Sequence, residues 1–394
     1  MLAFAGANSF ATGTATIGIF FVTENAFAFS AETNFWLGVL VGVTYIAGAL
    51  GAGRLQRALA RRSLSGRSFL ALLTCVLGLA SLVPWLFPHP ATVFGVLAVY
   101  APTTGVFWPL VESYVSGGRR GAELRTAVGR FNVVWSATLA LAFWAMTFWM
   151  ERSALAIFPL IAAVNAVSLV CLPGFRPQPG EHAAGEPHAY PQSYVALLRV
   201  HRVLHATAYL VMYALAPLLP ALTRELGLPP ARATAVASTW MFARVATFFV
   251  LERWHAWHGR WSVPVLGALA GLGGFALAVL APALAELASR PAALAAFVAG
   301  LFVFGAGLAA LYTAALYYVM EVGGGEVDAG GSHEALIGIG YTVGPLCGVF
   351  SCALVRTGWI APDQREGALL LAVAALSLAA GSWAWTSRGR TRHG

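Results

Sequence analysis

TVFGVLAVYAPTTGVFWPLVESYVSGGRRGAELRTAVGRFNVVWSATLALAFWAMTFW, residues 92–149, holds two apolar runs, 92–116 and 128–149, around a short loop carrying Arg119, Arg120 and Arg125. Each run exceeds the roughly 18 residues that cross a hydrocarbon core of about 30 Å as a helix. Lipid cannot hydrogen-bond a bare backbone, so a helix is the form in which such a run crosses. Arginines in the turn between two spans place that turn on the cytoplasmic side.

The same pattern repeats outward along the whole chain. Runs at 2–23, 35–53 and 69–87 precede this pair, and 153–172 follows it. A segment from Pro173 to Gln192, rich in Pro and Gly and without periodicity, reads as a linker. Six further runs follow at 194–220, 231–252, 263–282, 292–319, 335–355 and 367–386. The reading predicts an all-α membrane protein with twelve transmembrane helices in two pseudo-symmetric six-helix bundles. Residues 1–174 form the N-terminal bundle, 175–193 a cytoplasmic linker, and 194–394 the C-terminal bundle with a short basic tail.

Composition agrees. The 394 residues are 59% hydrophobic and only 10% charged, where a soluble domain averages about 25% charged. Mean hydropathy is +0.73. The net charge of +8 does not indicate a nucleic-acid partner, because all 24 basic residues are Arg and nearly all lie in loops between spans. With the N-terminus inside, seventeen arginines fall on the cytoplasmic side, six on the other, and Arg244 within a span. That bias predicts an inner-membrane protein with both termini cytoplasmic. The four cysteines lie in or at the ends of spans, form no CxxC, and read as apolar filler. The first span has no basic n-region or cleavage site and is expected to persist as a helix.

The halves are weakly alike. GVFWPLVESYVSGGRRGAELRTAVGRFNVVWS, from Gly105, and GLAALYTAALYYVMEVGGGEVDAGGSHEALIGIGYTVGP, from Gly307, each run from a span ending near Tyr-Val through a Gly-rich charged loop into the next span. Parallel repeats of this kind are a transporter signature. Six spans, a linker and six spans resemble the major facilitator superfamily. The loop GRLQRALARRS (Gly53 to Ser63) resembles that family's Gly-x-Leu-x-Asp-Arg-x-Gly-Arg-Arg motif at Gly53, Leu55, Arg61 and Arg62. It departs at Arg57, Ala58 and Ala60, and Glu252-Arg253 after the eighth span resembles the Asp-Arg pair. The resemblance implies two bundles rocking about a central site, walled chiefly by the first, fourth, seventh and tenth helices. That places Asn8, Thr104, Trp108, Tyr209, Tyr213 and Tyr312 as wall candidates.

Arg244 is the sharpest single signal. A midspan Arg costs at least about 2.5–3.5 kcal/mol to insert, so it faces a partner or a wet cavity. It reads as an anchor for an anionic group of the substrate or as half of a structural ion pair; Trp240 lies one turn away and Glu252 two turns away on a similar face. Glu112 reads as a gate residue pairing with Arg125 or Arg130, or as a proton acceptor. Arg57, Arg61, Arg62, Arg253 and Glu334 complete an expected cytoplasmic gate or charge network. The acidic segment Glu321, Glu326, Asp328, Glu334 reads as a loop that pairs with those arginines or stays solvated. Thr12, Thr16, Asn132 and Trp135 are further polar or aromatic candidates. His201 and His205 (i, i+4), and His255 and His258 in WHAWHGRW, have no third ligand nearby, so no metal and no cofactor are expected.

The function expected is secondary transport of a small, partly apolar and anionic solute by alternating access, with a coupling proton at Glu112 or Glu24. A multidrug-type exporter stays open. The rival class is an integral membrane enzyme acting on a lipid-phase substrate, with His333-Glu334 and WHAWHGRW as its only catalytic candidates. No P-loop (GxxxxGK[ST]) is present to use ATP. The partners expected are the lipid bilayer and a small-molecule substrate.

Overall fold

The computed structural model describes residues 1–119, 121–180, 190–323 and 327–387. Among them every regular element is helical, and eleven helices are long and apolar enough to cross a membrane. The remaining expected span is helical from Leu2 to Phe27 in three consecutive pieces: α1 (Leu2–Gly13), a π-helical turn (Thr14–Gly18) and α2 (Ile19–Phe27). The helices that carry the site are α3 (Ala31–Ala60), α4 (Pro90–Ser116), α5 (Gly121–Met150), α6 (Gln192–Leu215), α7 (Thr239–Arg253), α8 (Arg290–Gly323) and α9 (Val327–Arg356).

Local chemistry sets the ends. The Ser30 hydroxyl accepts the Thr33 backbone N–H and caps α3, with Glu32 in the first turn to complement the helix dipole. Pro90 opens α4, where a missing N–H costs nothing. The sequence puts one span at 194–220, but α6 stops at Leu215 and a short helix, Leu219–Glu225, follows a turn. Pro217 and Pro220 account for the break, since neither supplies an N–H to the ladder.

The larger departure lies at the expected acidic loop. α8 runs to Gly323 and α9 starts at Val327, so Glu321, Asp328 and Glu334 stand on helices; Glu326 lies outside the described residues. Glu334 is two turns inside α9 rather than at the start of a span. The expected linker is also partly docked. Gln178 accepts the Gly66 N–H at 3.1 Å, and Tyr114 donates to the Arg176 carbonyl at 3.1 Å. Residues 181–189 of the linker and the basic tail from 388 lie outside the described residues.

Polarity is arranged as lipid demands. Large apolar side chains such as Leu79, Phe148, Val170 and Leu371 face outward, while Asn8, Glu112, Asn132, Arg244 and Glu334 are buried. α9 packs against α3 on one side and α6 on the other. Gly344 makes the second contact close: a Cβ there would strike the Leu210 carbonyl and the Ala214 nitrogen. The four cysteines are free thiols.

Candidate functional site

A cavity of about 80 Å³ lies between helices from the two halves of the chain. Ser9, Thr12 and Thr16 of the first helical segment line it, with Tyr45 (α3), Trp108 and Glu112 (α4) and Trp135 (α5). From the second half come Tyr209 (α6), Arg244 (α7), Tyr312 (α8), and Glu334 and Tyr341 (α9). The π turn gives this wall Thr16 and Ile17, as such turns often do at functional sites. A larger hollow of about 460 Å³ is bordered by outward-facing chains such as Leu269 and Leu378 and holds no charged group, so it is a lipid-facing groove.

Arg244 is buried, at 2% exposure. Its Nε donates to Ser136 Oγ at 3.1 Å. Its guanidinium carbon lies 4.3 Å from the Trp135 ring centre and 4.8 Å from that of Trp240. Among the described residues no carboxylate lies within ion-pair reach, and Nη2 has no hydrogen-bond partner. Cation–π contacts are worth about 0.5–2 kcal/mol each and leave the charge uncompensated. The Trp135 indole donates to Asn132 Oδ1 at 3.1 Å, which fixes the ring beside the cation. The structure therefore presents a buried cation, oriented by aromatic rings, with donor capacity unused.

The aromatic wall is continuous. Trp135 and Tyr312 have ring centres 5.3 Å apart, Tyr209 and Tyr341 5.6 Å, and Tyr213 stacks on Tyr341 at 3.7 Å. At the end of the cavity facing the arginine-rich side, Glu112 and Glu334 bring two carboxyl oxygens within 4.8 Å of one another. The Tyr45 hydroxyl donates to Glu334 Oε2. His333 adjoins them, and its ring stacks on His205 at 4.3 Å.

Of the residues expected from sequence, Arg244, Trp108, Tyr209, Tyr312, Glu112 and Glu334 line the cavity. Five do not. Asn8 donates to Ser168 Oγ at 3.1 Å, Thr104 bonds carbonyls of its own helix, and Tyr213 stands behind Tyr341 and donates to the Thr16 carbonyl at 3.3 Å. Trp240 and Asn132 act one layer back, through Arg244 and Trp135. Glu112 faces Glu334 instead of an arginine: Arg130 is exposed, and Arg125 sits in a separate hollow with Glu252 and His258. Glu252 pairs with its neighbour Arg253 at 2.9 Å, not with Arg244. Arg57 pairs with Asp328 at 2.5 Å, and Arg61 and Arg62 are exposed. His201 and His205 are fully buried and make no hydrogen bond through either ring nitrogen. His255 and His258 lie on the surface segment after α7, away from His333-Glu334, so the residues offered for catalysis do not converge. There His258 stacks on Trp257 at 3.9 Å, and burial pulls its pKa down to about 4.

Sequence reasoning missed Tyr45, Tyr341, Ser9 and Ser136. The one available signal was GIGYTVGP (Gly338 to Pro345): small residues bring neighbouring helices close, which leaves Tyr341 as the bulky group between them.

Residues of the two halves meet at both ends of the cavity. Arg57–Asp328 and Tyr45–Glu334 join them on the arginine-rich side. Glu24–Arg224, Glu32–Arg356 (2.6 Å) and the Trp144 indole donating to Ser238 Oγ (3.1 Å) join them on the other. At about 80 Å³ the cavity between them is far smaller than the roughly 300–1,000 Å³ of pockets for drug-sized ligands.

Comparison with known proteins places the fold. The chain superposes on the nucleoside transporter NupG, in a point-mutant crystal structure, with a TM-score of 0.68 over 99% of each chain at 12% identity. It superposes on a bacterial homologue of the human lysosomal transporter Spinster, inward-facing and unoccupied, with a TM-score of 0.67 at 13% identity, covering 98% of this chain and 95% of that one. No protein-family model matches the sequence, and no curated protein matches it. The chain shares its fold with these two transporters.

Proposed function

We propose that this protein is a secondary active transporter that carries a small, anionic and partly apolar solute across the membrane by alternating access. The observation that carries the reading is Arg244: a buried guanidinium in the shared cavity, held between indoles, with no carboxylate partner among the described residues. A planar fork of donors suits carboxylate or phosphate, and the Trp and Tyr wall suits the rest of the molecule. The fold likeness to two transporters supports membrane transport. Residues 1–174 and 194–387 act as two six-helix bundles joined by the linker, and twelve spans place both termini in the cytoplasm, as the arginine distribution supports.

The contacts between the halves at each end support a gating scheme. Opening toward the cytoplasm parts Arg57 from Asp328 and Glu112 from Glu334. Opening outward parts Glu24 from Arg224 and Glu32 from Arg356. Exposed ion pairs contribute only about 0–1 kcal/mol each, so these contacts break readily. A small cavity around one fixed cation favours a defined solute over the broad range of a multidrug exporter. Of the two carboxyls offered for a coupling proton, Glu24 is engaged by Arg224 and Glu112 lies in the cavity.

The test is uptake into proteoliposomes of hits from a thermal-shift screen of carboxylates and phosphates. Stabilisation and uptake by one anionic class, both lost in Arg244→Gln, are expected. A set of neutral or cationic hits unaffected by that substitution would sink the proposal.

A further inference from the structure

We propose that Glu112, His333 and Glu334 form a binding site for one divalent transition-metal ion, joining α4 to α9 at the arginine-rich end of the cavity. One donor atom from each residue lies within 4.8 Å of the others, and the three side chains are 1–4% exposed. Two donors on opposite sides of one ion, each at about 2.0–2.2 Å, are roughly 4 Å apart, so sub-ångström side-chain movement suffices. Unused capacity points into the cluster: Glu112 Oε2 and both ring nitrogens of His333 lack hydrogen-bond partners, and a neutral imidazole keeps one lone pair free to ligate.

The surroundings are those of a built site. A carboxylate only accepts hydrogen bonds, so two this close need a cation between them, a proton or a metal. Two carboxylates and one neutral imidazole match a charge of +2. The imidazole argues against Mg²⁺ and Ca²⁺, which take oxygen donors, and for Mn²⁺, Fe²⁺, Co²⁺ or Zn²⁺. Tyr45 donates to Glu334 and fixes its carboxylate, as partners behind a metal ligand do. Gly330 leaves room for Glu112: a Cβ there would lie 3.1 Å from Glu112 Oε2. The stacked His205 ring holds the plane of His333.

Because the donors come from opposite halves of the chain, the ion binds only while this end is closed. The metal thus stabilises the closed arginine-rich side. This inference is independent of the solute that meets Arg244.

The experiment uses the full-length protein in detergent, stripped with a chelator and titrated with Mn²⁺, Co²⁺ and Zn²⁺, with bound metal counted by mass spectrometry after equilibrium dialysis. One ion per chain is expected. Glu112→Gln and Glu334→Gln should each weaken binding about 100-fold or more, while Glu151→Gln, at an exposed position, leaves it unchanged. Pulsed EPR of the Mn²⁺-loaded wild type needs no variant and should detect nitrogen coupling from His333. Absence of stoichiometric binding, binding that survives both Gln substitutions, or a spectrum with oxygen ligands alone overturns the proposal. Proton uptake by the pair without metal binding overturns it too and makes the cluster a proton site. Arg244→Gln should bind metal with unchanged stoichiometry, so failure of the anion reading and failure of the metal reading are separable.

Discussion

Arg244→Gln separates an anchor from a brace. The substitution keeps a polar side chain near Ser136 and removes the charge. For an anion held by the guanidinium, losing one partner of a buried charged pair costs about 2–5 kcal/mol. At 1.4 kcal/mol per decade, Kd rises about 30- to 4,000-fold. A solute at one hundred times its Kd stabilises wild type by about 2.7 kcal/mol, and the same concentration stabilises the variant by less than about 1 kcal/mol. The apo protein should behave differently. Two indole contacts worth about 0.5–2 kcal/mol each are lost, but an uncompensated buried charge, which costs several kcal/mol, is removed as well. The apo variant should therefore melt at the wild-type temperature or above it. Thermal unfolding in detergent, with and without solute, reads both quantities. A variant that melts well below wild type yet keeps its anion response would refute the reasoning and make Arg244 a structural cation.

Three further outcomes are expected. The cysteine pair Glu24→Cys with Arg224→Cys, in a background without native cysteines, should stop transport in proteoliposomes on oxidation and recover with reductant, since these residues join the halves at the arginine-poor end; full activity while cross-linked would exclude opening at that end. Gly344→Val should lower thermal stability by several kcal/mol, or abolish the folded fraction on gel filtration, because its side chain would collide with the Leu210 backbone; wild-type stability would show that α6 and α9 are further apart. His258 has a pKa held near 4 by burial, below the 6.5 of an unfolded chain. The unfolded state then binds more protons between these values, so stability falls as pH drops from about 6.5 to 4, and His258→Gln should flatten that slope in pH-dependent unfolding.

The spans were legible because burial in lipid writes itself as long apolar runs, and eleven of the expected twelve meet length and hydropathy on their own. The start of α9 was not. VDAGGSHE (Val327 to Glu334) is polar and glycine-rich, a poor helix former by propensity, and it is helical where α9 packs against α3 and α4. Arg244 stood out because a charge inside an apolar run always needs a reason. Asn8 misled: the resemblance names the first helix as a wall without saying which face, and Ser9 rather than Asn8 meets the cavity. The meeting of Glu112 with Glu334 had no local signal at all, since the two are brought together by the packing of α4 on α9. Likewise nothing local shows that His201, His205 and His333 are buried, since His333 comes to His205 from a different helix.

The two ends of the cavity carry opposite formal charge, Arg244 at one and Glu112 with Glu334 at the other. With both carboxyls ionised, one positive and two negative charges leave the empty cavity at −1. A monoanion on Arg244 takes it to −2, and a divalent cation between the carboxylates returns the filled cavity to zero. Each elementary charge crossing a potential of 100 mV exchanges about 2.3 kcal/mol with it. Because the ion binds only while the arginine-rich end is closed, the strokes that open that end would be made by the metal-free cavity, at −2 with solute and −1 without, and the membrane potential would act on both.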